Sequence, residues 1–166
     1  MQDELKESIQ MFQGEEITVW QVEKKNGAVI ITINQLFDDH IFDCQWLDEK
    51  QTYLKVFYTD WDSNELCAIV NPDGKIIRKG IRSLKGYIEK YQLFIVEMSG
   101  LAMGSEAINY LLSEFDWKMG VVNQRGEFII NPAYDSIRFD HDQELFYVNG
   151  GRFPWFDRFG KLAAES

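Results

Sequence analysis

Cysteine, histidine and proline are scarce in this 166-residue chain, which holds two cysteines, two histidines and three prolines. Cys44 and Cys67 stand outside any CxxC arrangement, and two thiols cannot build a disulfide-stapled mini-protein, so unbridged thiols are expected. Long apolar runs are missing as well: no stretch of about 18 apolar residues occurs, which excludes a membrane-spanning helix. The opening MQDELKESIQ is acidic and polar where a secretory signal is basic and then apolar, so the expected location is cytoplasmic. Positive charge is in deficit, with 17 basic residues against 27 acidic ones and a formal net charge of −10. Such a balance repels a phosphate backbone and argues against general nucleic-acid binding. Apolar residues, in contrast, make up 45% of the chain and aromatics 14%, enough to exclude global disorder. At this length one domain is the default, and no linker divides the sequence.

The main signal is internal repetition: a β-prone run, a polar turn closed by glycine, then a second β-prone run. Four copies are read, at Trp20–Ile31, Ala68–Ile77, Gly120–Ile130 and Trp155–Ala163, with turn glycines Gly27, Gly74, Gly126 and Gly160. Each predicts a hairpin, because glycine enters positive φ without a Cβ clash and a preceding Asn or Asp can bond its own backbone. Asn26-Gly27 and Asp73-Gly74 are the strongest turn dipeptides, and Pro72 suits a turn's first central position. Further strand-like stretches follow the first three hairpins at Leu54–Tyr58, Leu93–Glu97 and Leu145–Asn149. Taking each with the hairpin before it gives units of about 18–60, 66–100 and 118–149, with a terminal hairpin at 152–163. The glycine markers lie 47, 52 and 34 residues apart, and the longest gap has a visible cause. Ile108, Leu111, Leu112 and Phe115 recur at helical spacing after Ser105, which predicts an inserted helix over 105–115. Leu5, Ile9 and Phe12 likewise predict a short N-terminal amphipathic helix over Asp3–Phe12. The expected fold is therefore mainly β, with antiparallel hairpin and meander repeats in an open, solenoid-like or partial-propeller arrangement and two helical decorations.

The third copy, Met119-Gly120-Val-Val-Asn123-Gln-Arg-Gly126 followed by Asn131-Pro132-Ala-Tyr134-Asp135, resembles the bacterial WG-containing repeat. Gly120, Asn123, Gly126, Pro132, Tyr134 and Asp135 match that pattern, and Met119 stands where its tryptophan belongs. In the fourth copy Asp157 and Gly160 fit while Phe153 and Pro154 replace the Trp-Gly pair; in the first, Trp20 and Gly27 fit and Gln21 replaces the glycine. The second keeps Asn71 and Gly74, with Cys67 and Ala68 at the paired positions. The resemblance implies an all-β repeat scaffold used as an interaction module, and it implies no catalytic residues.

Residues capable of chemistry each have a packing role that accounts for them as well. His40, Asp43 and Cys44 are zinc-ligand types, but they lack an established ligand spacing, and His141 between Asp140 and Asp142 reads as a turn. No nucleophile elbow is present, and Gly100–Ser105 lacks the lysine of a phosphate loop. The expectation is no enzyme, no cofactor and no metal. Trp20, Trp46, Trp61, Trp117 and Trp155 read first as core or cross-strand packing and second as a stacking platform for sugars, a reading that exposure of Trp46 or Trp61 would favour.

Charge is unevenly spread. Residues 1–60 carry 12 acids against 5 bases, while Lys75–Lys90 hold six cations against Glu89 alone. As solvated surface these charges keep sheets soluble and guard their edges. As function, Asp38, Asp39 and Asp43 offer an acidic docking surface for a basic protein partner. The expected role is a non-catalytic protein-interaction module with no nucleic acid or membrane partner. Two variants stand beside it: an immunity-type protein that neutralises a basic toxin, and a carbohydrate-binding protein that uses surface aromatics.

Overall fold

The structure, a computed structural model, describes residues 4–23, 30–99, 117–149 and 152–163. It is mainly β, with fourteen strands among the described residues and two single 3₁₀ turns, Ile33–Leu36 and Glu89–Tyr91. No helix of the described residues is long and apolar enough to cross a membrane.

The chain divides into two compact units, Met1–Lys79 and Gly80–Ser166. The first contains a three-stranded sheet of β1 (Glu4–Phe12), β2 (Glu15–Glu23) and β3 (Ile30–Thr32), and a sheet of β4 (His40–Trp46), β5 (Leu54–Thr59), β6 (Glu65–Val70) and β7 (Ile76–Ile81), whose last strand runs across the unit boundary. The second contains β8 (Ser83–Ile88), β9 (Leu93–Ser99), β10 (Trp117–Val122) and β11 (Phe128–Tyr134) in one sheet, and β12 (Ile137–Asp140), β13 (Leu145–Val148) and β14 (Arg152–Asp157) in another. In every sheet chain neighbours are spatial neighbours, as antiparallel meanders require, and none of the four closes into a barrel. The strand-like stretches β5, β9 and β13 each pair with the first arm of the hairpin that follows, β6, β10 and β14 respectively.

Alternation places the core. In β5, Leu54, Val56 and Tyr58 are buried while Lys55 and Phe57 are only partly covered, the period of two expected of a pleated strand. Those inward residues join Trp20, Val22 and Ile33 in the first unit's core, and Phe146, Val121 and Ile95 anchor that of the second. Phe146 is fully buried, so truncating it to alanine removes on the order of 3–5 kcal/mol.

The predicted N-terminal helix is a strand. Leu5, Ile9 and Phe12 fit helical spacing, but Gln13 and Gly14 adopt φ of 51° and 83° and close a two-residue turn. That turn pairs β1 with β2 along nine residues, from Glu4 opposite Glu23 to Phe12 opposite Glu15. A ten-residue helix is marginal in water, whereas the hairpin satisfies its backbone at once and packs Leu5 against the core. The helix predicted over 105–115 and the turn at Gly27 lie outside the described residues, although the arms of the latter, β2 and β3, do pair.

Three turns share one set of bonds. At Asn71–Gly74 the Asn71 Oδ1 accepts from the N–H groups of Asp73 (3.0 Å) and Lys75 (2.9 Å), while Gly74 N–H donates to the Asn71 carbonyl (3.0 Å) and Asn71 N–H to that of Lys75 (2.9 Å). Asn123–Gly126 and Asp157–Gly160 repeat all four contacts. This is a type I turn followed by a left-handed residue, the geometry favoured by three-residue hairpin loops. The same bonds occur at Asp60–Ser63 between β5 and β6, where Ser63, not glycine, takes a φ of 62°.

Two glycines are required for space as well. A Cβ on Gly120 would lie 2.7 Å from the Ile130 carbonyl oxygen, so the approach of β10 to β11 excludes any side chain there. A Cβ on Gly160 would lie 2.0 Å from the Ile129 carbonyl oxygen, whereas one on Gly14 would meet nothing within 4 Å. Gly14→Ala should therefore cost about 1–2 kcal/mol for its left-handed backbone alone, and Gly160→Ala distinctly more. Ser63→Gly should stabilise by about 0.5–1 kcal/mol. Equilibrium urea unfolding of the three variants checks this order.

Candidate functional site

Pairing of β4 with β5 sets His40 opposite Thr59, and thereby brings the segment before β4 beside the turn after β5. The result is an open cleft of about 250 Å³ lined by Asp38, Asp39, His40, Thr59, Asp60 and Trp61. Trp61 is the second residue of the Asp60–Ser63 turn, where a side chain projects into water, and it is 91% exposed. An indole so placed offers both faces to a ligand, since its apolar area is not spent on packing.

The three carboxylates differ in what they already hold. Asp39 is nearly buried and pairs with Lys79, Oδ2 to Nζ at 2.5 Å. That ammonium also sits over the rings of Tyr58 (4.9 Å) and Phe37 (5.3 Å), so it is fixed between an anion and two aromatic faces. Asp60 spends its carboxylate on the turn, accepting from the N–H groups of Asp62 and Asn64 and from the Asn64 side-chain amide. Asp38 is exposed. Three anions against the one ammonium of Lys79 leave the cleft with an excess of two negative charges. The arrangement can hold a cation between carboxylate and indole, or stack a planar or sugar ring on Trp61.

Of the acidic residues singled out in the sequence, Asp38 and Asp39 are brought together and Asp43 is not. Asp43 turns back on its own strand, accepting from the Cys44 N–H (2.8 Å) and the Gln45 side-chain amide (3.0 Å). His40 is exposed at the start of β4, whereas Cys44 is 4% exposed and lies in the core. A bulge between Ile41 and Asp43 is what moves Cys44 to the inner face, so His40, Asp43 and Cys44 diverge. Among the described residues no group of three or more His, Cys, Asp or Glu side chains is placed to hold a metal ion. His141 stacks edge-on against Phe139 at 5.1 Å, and Asp140 accepts from the N–H groups of Asp142 and Gln143, so this acidic segment is a turn. The Gly100–Ser105 segment lies outside the described residues.

The tryptophans divide between packing and exposure. Trp20 is in the first core and Trp46 packs against it; Trp117 carries the Arg82 guanidinium over its ring at 5.1 Å, and Trp155 meets Tyr147 edge-on at 5.4 Å. Trp61 alone of the five is fully presented to solvent. Three of the six cations in Lys75–Lys90 pair with carboxylates: Lys79 holds Asp39, Arg82 faces Glu97 at 3.7 Å, and Lys90 reaches Glu144 at 3.1 Å. Glu144 also accepts from the Tyr91 hydroxyl, and these bonds hold its carboxyl below the ordinary range.

Thr59, Asp60 and Trp61 were not distinguished by sequence as a site with Asp38 and Asp39. The usable signal was Asp60 itself, an Asx residue opening a turn of the same form as Asn71 and Asn123, with serine where the others have glycine.

The Cys44 thiol is pushed up to about 12, chiefly by burial and further by the charges of Asp43 and Glu7. Cys67 is buried too, and neither forms a disulfide. At pH 8 the native protein should therefore give no reaction with a colorimetric disulfide reagent, and both thiols should react after unfolding; rapid native labelling contradicts this placement. Compared with known proteins, the chain matches no family model, no curated protein and no solved structure.

Proposed function

We propose that this chain is a non-catalytic interaction module that takes a basic side chain of a protein partner into the Asp38–Trp61 cleft. The observation that carries the reading is an indole 91% exposed beside a cleft with an excess of negative charge. Burial of a large aromatic is the rule, so an indole held out in water by a four-bond turn is placed for contact. A Lys or Arg entering the cleft gains cation–π attraction from Trp61 and Coulomb attraction from Asp38 without displacing Lys79 from Asp39. The long-range field of a −10 chain speeds the approach of such a partner.

The scaffold in this reading is a degenerate WG-like repeat. Its support is the shared bonding of the Asn71, Asn123 and Asp157 turns, each following the pairing of β5 with β6, β9 with β10 or β13 with β14, and the tight approach at Gly120. A second reading, carbohydrate binding, is favoured by the exposure of Trp61 itself, since a sugar ring stacks on the same face.

Titration with Arg- and Lys-containing peptides and with neutral oligosaccharides, followed by tryptophan emission, separates the two. Basic peptides should shift the emission, with affinity falling as salt rises; Trp61→Ala should weaken them about 5- to 30-fold and Asp38→Asn by a smaller factor. Salt-independent binding of sugars alone replaces this reading with the second, and silence toward both ligands overturns it.

A further inference from the structure

β1 is an edge strand: among the described residues it pairs only with β2, and in unbroken register. Because the loop Gln13-Gly14 has two residues, its closing pair Phe12–Glu15 is a hydrogen-bonded one. The alternation of an antiparallel ladder then turns the N–H and C=O groups of Glu4, Lys6, Ser8, Gln10 and Phe12 toward β2, and those of Leu5, Glu7, Ile9 and Met11 outward. The usual guards of an edge are weak here. The strand has no proline and no bulge, and its one lysine, Lys6, is drawn back to Glu23 of β2 at 2.6 Å. Apolar side chains are left in water: Ile9 is 69% exposed, Met11 66% and Phe12 60%, with Ile17 of β2 at 38%.

We infer that this edge is a homotypic interface, where β1 of a second copy adds antiparallel and the two three-stranded sheets become one of six. The occupant is specified by the strand's complementarity to itself. Backbone bonding admits only registers that pair outward-facing residues with one another. With Glu7 on the two-fold axis, two Glu7 carboxylates meet; with Ile9 on it, Glu4 and Leu5 are left without partners. With Ser8 on the axis every residue of β1 is paired. Glu7 then lies opposite Ile9 of the second copy, Leu5 opposite Met11, Lys6 opposite Gln10 and Glu4 opposite Phe12, and no like charges are opposed. About eight backbone hydrogen bonds form across the axis, and Met11 of each copy covers Leu5, which already packs on the core of its own unit. The interface is isologous, as a two-fold dimer requires, and it is separate from the Trp61 cleft.

Sedimentation velocity of the full chain over a dilution series should show a reversible monomer–dimer equilibrium. Ser8→Cys tests the register, because Ser8 faces its own symmetry mate in a non-hydrogen-bonded pair with Cα atoms about 4.5 Å apart, within reach of a disulfide. Its mild oxidation should yield a covalent dimer, whereas Gln10→Cys, which faces Lys6, should not. Ile9→Glu sets glutamates opposite Glu7 at two symmetric places and should weaken dimerisation about tenfold; Glu7→Lys combined with Ile9→Glu restores opposite charges and should recover it. These side chains are exposed, so the monomer fold is unaffected, and circular dichroism verifies that. A monomer at every concentration overturns the inference, as does a dimer in which Ser8→Cys and Gln10→Cys cross-link alike.

Discussion

Four of the turns that set strand register depend on a side-chain oxygen three bonds from the backbone Cα. When Asn71, Asn123, Asp157 or Asp60 accepts from the N–H groups two and four residues ahead of it, the chain is committed to reverse direction within a few residues. The left-handed residue that ends the turn then fixes which residues face each other in the strands on either side. Register decides burial, because a slip of one residue would send Val121 and Ile130, or Val56 and Ala68, to the wrong face. The cores of the two units are thus downstream of local bonding at the turns. This explains how a chain of short strands folds into meanders without crossovers, a topology dominated by contacts between sequence neighbours.

The parts of this design that sequence reveals are those where one residue type has a single physical reason to be present. Gly74, Gly126 and Gly160 mark hairpins because a left-handed backbone is cheap only for glycine, and Leu54–Tyr58 marks a strand because its alternation matches the pleat. The misreading of β1 has an equally physical origin. Leu5, Ile9 and Phe12 satisfy the helical period while only Leu5 and Ile9 share a face of a strand, and what overrides that period is the partner strand and the Gln13-Gly14 turn, neither of which is inside the segment. The joining of β5, β9 and β13 to the hairpins that follow them was not legible either, since a strand's apolar pattern does not state which neighbour it pairs with.

The candidate site was half legible for the same reason. Asp38 and Asp39 stand out by charge, but their companions Asp60 and Trp61 come from some twenty residues on and arrive only through the β4–β5 register. Asp43, adjacent in sequence, is lost to the site because a bulge and its own backbone claim it. The exposure of Trp61 could not be read from composition, where one tryptophan looks like another; it follows from the turn that Asp60 builds, in which serine stands where glycine was the expected marker. One local motif therefore serves twice, closing hairpins that bury apolar residues and presenting an indole that remains outside.

The most direct test of this account is amide hydrogen exchange resolved by residue in the native protein. The N–H groups of Lys75, Glu127, Lys161 and Asn64 lie in exposed turns, where exchange is normally fast, yet each is bonded to the Asx oxygen four residues earlier. The account predicts that these four are protected well above the unpaired amides around them. Exchange at unstructured-peptide rates at all four would mean that the Asx bonds do not set the turns, and the central claim would fall with them.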